Sequence, residues 1–141
     1  MLKTLLAKVG NDLIHMVGQV PDEEWTESEV VDSLLEVLNG YGYPVYKQGS
    51  MSADEEYPET FLTFWNDESL DRTFYDNVEH GIVMSFNLFC YSSDAEKTYS
   101  VLEKVRKDLK KEGWITSRSY DAASDQETHT GRGMAATFLG N

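Results

Sequence analysis

The chain has 141 residues, 40% of them hydrophobic, with 12 basic against 25 acidic side chains and a formal net charge of −13. That length suits one domain able to bury roughly two thirds of its unfolded surface, and the acidic balance disfavours nonspecific binding to nucleic acid or to an anionic membrane. The single Cys90 excludes an internal disulfide, and no apolar run approaches the roughly 20 residues that span a bilayer, so the chain reads as a soluble protein of a reducing or unconstrained compartment.

Met1 to Val20 places Leu2, Leu5, Leu6, Val9, Leu13, Met16, Val17 and Val20 on one helical stripe. Lys8, Asn11, Asp12 and His15 interrupt it, unlike a signal-peptide core. Residues 1–24 therefore read as an N-terminal helical extension of a single domain whose core is 25–141. Thr26-Glu27-Ser28-Glu29 is a capping box, with Trp25 placed to staple onto Val30. Val30, Val31, Leu34, Leu35 and Leu38 continue the core stripe until Asn39-Gly40-Tyr41-Gly42 ends the helix and Pro44 forbids its resumption. Tyr43 to Gln48 is a short strand, Gly49 to Glu56 an acidic loop, and Glu59 to Trp65 a second strand dense in β-branched and aromatic residues. Asn66 to His80 reads as a long connection that carries Asp67, Glu68, Asp71, Asp76 and Glu79 beside Phe74 and Tyr75. Aromatics in so acidic a loop predict poor packing on its own subunit and ordering against a partner.

Gly81 to Tyr91 organises the rest. Ile82, Met84, Phe86, Leu88 and Cys90 make a wholly apolar face, while Val83, Ser85, Asn87, Phe89 and Tyr91 make a mixed one that fits a partner surface or partial solvent. Ser93 with Glu96 predicts a capping box, and Ala95, Tyr99, Leu102, Val105 and Leu109 predict the buried stripe of a helix with Val101 at its edge and Gly113 as its stop. Trp114 to Tyr120 has the alternation of a half-exposed strand. Asp121 to Thr130 is polar, and Gly131-Arg132-Gly133 leads into a last strand from Met134 to Leu139. The predicted order is helix, helix, three strands, helix, two strands. That is α+β, with a mainly antiparallel sheet of about four to five strands and helices packed on one face.

Six of the twelve cations (Lys97, Lys104, Arg106, Lys107, Lys110, Lys111) lie between Asp94 and Glu112 with five acids, so this helix is near +1 and the remainder near −14. A basic ridge on an acidic body suits head-to-tail association. The familiar chemical motifs are missing: no Walker loop, dinucleotide-binding glycine pattern, paired-cysteine motif or HExxH. Glu127 with His129 has a spacing that can place two ligands on one strand face, but a polar approach to a strand accounts for both. Asp67, Glu68 and Asp71 lack the alternate acids and central glycine of an EF-hand. Ser117, Ser119 and Cys90 have no nearby histidine to activate them. Neither catalysis, a cofactor nor a metal is expected.

Tyr57-Pro58-Glu59-Thr60-Phe61-Leu62-Thr63-Phe64-Trp65-Asn66, Phe74-Tyr75-Asp76-Asn77, Tyr120-Asp121 and His129-Thr130-Gly131-Arg132-Gly133-Met134 resemble the tail terminator, or tail completion, proteins of long-tailed phages and prophages of Gram-positive bacteria. The resemblance covers roughly residues 28 to 140 and leaves Met1 to Glu24 as an addition. It implies a structural virion protein that closes into a ring of six on the head-proximal end of the tail tube. Such a ring stops tube growth and faces the head–tail connector. The implied partners are further copies of the chain, the tail tube protein and the connector protein, with no nucleic-acid sequence recognition and no membrane. The implied place is the head–tail junction of the virion, after assembly in the host cytoplasm. Asp67, Asp71, Phe74, Tyr75, Asp76, Arg106, Lys107, Lys110, Lys111, His129 and Arg132 are the candidate residues for subunit or tube contacts. A second reading, from the net charge, is an acidic inhibitor without catalytic activity that mimics DNA or occupies a basic site on a host protein.

Overall fold

A computed structural model describes residues 25–48, 56–73 and 79–140, with 72, 73, 79 and 80 described by their backbone. The helix expected over Met1 to Val20, most of the acidic loop from Gly49, and Phe74, Tyr75 and Asp76 lie outside the described residues. The described elements are helix α1 (Glu27–Leu38), a 3-10 turn (Asn39–Tyr41), strands β1 (Val45–Lys47), β2 (Thr60–Thr73) and β3 (Glu79–Ser92), helix α2 (Ala95–Lys111), and strands β4 (Ile115–Thr116), β5 (Tyr120–Ala122) and β6 (Thr130–Gly140). The fold is α+β. Among the described residues the sheet has six strands in the order β1-β2-β3-β6-β4, with β5 also on β6. Only β1 and β2 run parallel; every other pair is antiparallel.

The alternation in β3 decides the layering. Ile82, Met84, Phe86, Leu88 and Cys90 are all buried and form one cluster with Val30, Leu34 and Leu38 of α1, Val101, Leu102, Val105 and Leu109 of α2, and Met134, Ala136 and Phe138 of β6. Both helices therefore cover this inner face. Burial pushes the Cys90 thiol up to about 12, the behaviour of a small hydrophobe rather than a nucleophile. No helix among the described residues is long and apolar enough to cross a membrane.

Local chemistry sets the helix ends. Thr26 Oγ1 accepts from Glu29 N at 3.1 Å while Glu29 Oε1 accepts from Thr26 N at 2.9 Å, the capping box read from the sequence. Trp25 packs against the core cluster and stands edge-on to Phe138, ring centroids 4.9 Å apart. At the far end of α2, Gly113 adopts φ +93°, where a side chain is disfavoured. Gly113 N donates to Lys110 O and Trp114 N to Leu109 O, both at 3.0 Å, which reverses the chain and drops Trp114 into the core. Thr26→Ala is expected to cost about 1 kcal/mol and lower the midpoint by about 3–4 °C, with Thr26→Gly milder, both readable by thermal circular dichroism.

Several expectations change. Asn66 to His80 is not one long loop: β2 continues to Thr73 and β3 begins at Glu79. The ladder runs through Glu68↔Ser85, Leu70↔Val83 and Asp71↔Ile82 after a register shift between Asn66 and Glu68. That stretch shows no apolar alternation because it is an edge: β1 pairs only with Leu62, Thr63 and Phe64, and backbone bonds to β3 hold the rest. The cap of α2 is Asp94, not Ser93; its carboxylate accepts from Glu96 N at 3.1 Å, while the buried Ser92 Oγ accepts from Asp94 N at 2.9 Å. Ala95 and Tyr99 are exposed and Thr98 and Val101 buried, a rotation of the expected stripe. Trp114 to Tyr120 is not one strand but the end of a helix turn followed by β4 and, after a break, β5. The last strand starts four residues early, so Gly131-Arg132-Gly133 pairs with β3 instead of leading into the sheet. The order after α2 is accordingly three strands rather than two.

Candidate interaction surfaces

The basic helix keeps fewer free charges than its composition suggests. Arg106 donates from Nε at 3.3 Å and Nη2 at 2.8 Å to the two carboxylate oxygens of Glu103, and Lys107 lies 4.0 Å from the same group. The hydrogen bond holds Glu103 below the usual carboxylate range and Arg106 above its own ordinary value. Asp108 accepts from Tyr41 Oη at 2.6 Å. Burial, then this bond and the charge behind it, push the Tyr41 phenol upward. Among the described residues, Lys104, Lys110 and Lys111 have no carboxylate within 4.0 Å. With Arg106, Lys107 and Asp108 they line an open depression of about 460 Å3.

The other candidate residues scatter. Asp67 and Asp71 are exposed on β2. Arg132 is not on the ridge: it bonds Asp121 and Ser119 Oγ (3.0 Å), and its guanidinium lies 4.0 Å from the centre of the Tyr99 ring. That stacking explains how an aromatic on α2 stays outside the core. His129 Nε2 lies 2.8 Å from Pro58 O and Nδ1 2.8 Å from Thr128 Oγ1. A carbonyl only accepts, so Nε2 carries the proton and Nδ1 accepts from the hydroxyl. His129 thus ties the start of β6 to the segment before β2, and Glu127 has no part in it. Among the described residues no three His, Cys, Asp or Glu side chains cluster as metal ligands do.

What sequence reading missed is how far the outer face of the sheet extends beyond the mixed face of Gly81 to Tyr91. The register places Trp65 and Leu70 of β2, Ile115 of β4, Tyr120 of β5 and Leu139 of β6 on the side away from the helices. These are five of the six exposed large hydrophobics among the described residues. No protein-family model matches this chain, and no curated protein does. The surface must therefore be understood from its own geometry. A Cβ at Gly131 would stand 2.6 Å from Tyr91 Cε1, and one at Gly133 2.7 Å from Phe89 Cε1. The two glycines let the Tyr91 and Phe89 rings lie across β6, which gives the Gly131-Arg132-Gly133 run a packing reason.

At one end of this face the aromatics gather. Phe61 is met by Tyr57 at 5.2 Å, Tyr91 at 5.3 Å and Tyr46 at 5.9 Å between ring centroids. With Lys47, Gln48, Thr63, Ala123 and Asp125 they line a cleft of about 340 Å3. Tyr57 Oη donates to the Asp125 carboxylate, 3.0 Å from either oxygen, and this bond raises the phenol's pKa. Tyr91 is raised too, by burial first and then by the Asp125 charge. The nearest signal in the sequence was the mixed second face of Gly81 to Tyr91; nothing linked Tyr46, Tyr57 and Asp125 to it.

Proposed function

We propose that this chain is a non-catalytic structural subunit that assembles head to tail into a closed ring, and that the ring is a phage tail terminator. In this reading six copies cap the head-proximal end of the tail tube at the head–tail junction of the virion, after assembly in the host cytoplasm. Their partners are the tube protein and the connector, with no membrane or nucleic-acid sequence to recognise. The observation that carries the reading is that, among the described residues, one subunit has two unlike surfaces lacking a partner, an apolar outer sheet face and a ridge of unpaired lysines on the opposite side. Like-with-like pairing leaves such surfaces unmatched, whereas a heterologous contact joins them and repeats, giving a ring when the rotation between subunits closes. The resemblance of the Tyr57 to Asn66 and His129 to Met134 runs to tail terminators supplies the size and place of the ring.

Native mass spectrometry and negative-stain microscopy of the purified protein, alone and with tail tubes, test this. A closed six-subunit species is expected. Lys110→Glu with Lys111→Glu should weaken it more at low salt than at high salt, because screening over about 8–10 Å near physiological ionic strength already removes much of the attraction. A small particle under every condition, binding a basic host protein instead, would replace the ring with the acidic-inhibitor reading.

A further inference from the structure

The cleft at Phe61 has the composition of a receptor for a cation. Aromatic faces attract an ammonium or guanidinium through their negative quadrupoles, and a carboxylate at the rim adds direct charge. Tyr46, Tyr57, Phe61 and Tyr91 supply the rings and Asp125 the carboxylate. Asp125 is exposed and, among the described residues, has no cation within 4.0 Å. Two oxygens that share one phenol hydrogen leave most of their acceptor capacity open. Lys47 also borders the cleft, but its register partner is Phe64 on the inner face, so its side chain belongs to the other side of β1. The same chemistry already operates once in this chain, where Arg132 lies over Tyr99.

Resting on the ring reading, we infer that Lys110 and Lys111 of one subunit enter the Tyr46–Tyr57–Phe61–Tyr91 cleft of the next and pair with its Asp125. The two halves cannot meet within one chain. The ridge is on α2, which covers the inner face, and the cleft opens on the outer face with the sheet between them. The ridge is also the densest group of cations in a chain of net charge −13. Its Lys110 and Lys111 are exposed and, among the described residues, unpaired, while Arg106 and Lys107 are engaged by Glu103. Each subunit therefore offers one donor and one acceptor on opposite sides, and the contact propagates in one direction.

The test is a pair of complementary subunits. Asp125→Lys alone, and Lys110→Glu with Lys111→Glu alone, should each lower the apparent assembly constant about tenfold or more by native mass spectrometry, the scale of a cation–aromatic contact joined to a charge pair. Mixed in equal amounts they should recover rings. The normal lysines of the first then meet the normal cleft of the second, and the reversed charges meet each other, so subunits alternate three and three. Carbodiimide coupling of the wild-type ring should place an amide between Lys110 or Lys111 and Asp125 of a different subunit, located by peptide mapping. Rings that form from wild type but are not recovered by mixing, or amides that join Asp125 only to other lysines such as Lys3 or Lys8, overturn the cleft contact and leave the ring standing. Absence of a wild-type ring overturns both.

Discussion

Replacing Phe86 with alanine is expected to remove about 3–5 kcal/mol of stability, a large share of the roughly 5–15 kcal/mol available to a domain. Phe86 is 1% exposed at the centre of β3, between Asn66 of β2 and Ala136 of β6. Its ring lies 5.8 Å from Trp114, which in turn lies 5.2 Å from Phe138. Truncation empties the point where the central strand, the end of α2 and the last strand meet, and close-packed aromatics cannot collapse into the space without moving backbone. Unfolding entropy scales with length, so the midpoint should fall by about 10–15 °C. Leu139→Ala, on the exposed outer face, should shift it by no more than about 2 °C. Equal shifts for the two in a calorimetric scan would mean that the inner and outer faces of the sheet have been assigned wrongly.

Alkaline pH should unfold the protein through groups that are not surface charges. Burial raises Cys90 from an ordinary value of 9.0 to about 12. Below about pH 9 the thiol keeps its proton folded or unfolded, and its contribution to stability is complete. Between about 9 and about 12 the unfolded chain ionises and the folded chain does not, so stability falls by up to about 1.4 kcal/mol per pH unit, or about 2 kcal/mol from pH 9 to 11. Tyr41 adds to this in the same direction, as do Tyr57 and Tyr91. The raised pKa of Tyr41 means that its share is intact below the ordinary phenol value and is lost as pH climbs above it. Urea unfolding at pH 8, 9, 10 and 11 gives the slope. Cys90→Ala should lower stability at pH 8 through its small cavity yet flatten the alkaline slope, and Tyr41→Phe should flatten it further. An unchanged slope in Cys90→Ala would mean that the thiol is not buried in solution.

The framework was legible where residues repeat with the period of their element. Ile82 to Cys90 alternate without exception, so the central strand and its inner face could be read directly, and the α+β class followed. Thr26 and Glu29 named their helix start because only one pair had the spacing. Ser92, Ser93 and Asp94 did not, since three short polar side chains in a row can each cap a helix and only the buried Ser92–Thr60 contact, 2.9 Å between hydroxyls, selects Asp94. Tyr99 was misplaced because periodicity cannot see the Arg132 guanidinium that covers it. The β2 edge from Asn66 to Thr73 was hidden because an edge held by backbone bonds leaves no apolar pattern. For the surfaces, the cations of α2 could be found by counting, but their pairing with Glu103 could not. The aromatic cleft depends on Tyr46, Tyr57, Phe61, Tyr91 and Asp125, brought together by the parallel β1–β2 pairing and by the return of the chain near β6.

The length of β2 beyond Phe64, unpartnered among the described residues, also bears on how this protein behaves at high local concentration. A strand edge offers a row of free N–H and C=O groups to any extended peptide, and natural sheets blunt such edges with charge, irregularity or a covering element. Here, among the described residues, no strand lies beside that edge, and the burden rests on Asp67, Glu68 and Asp71 together with the register shift at Asn66. The acids that look like ornament in the sequence thus act as a solubility guard, and they act only while the molecule is charged. Toward the isoelectric pH of about 4.5 net repulsion vanishes and the seam becomes a template for amyloid-like stacking. The same chain is expected to tolerate crowding at neutral pH and to precipitate as fibres in mild acid, which turbidity and thioflavin fluorescence at pH 7 and pH 4.5 would check.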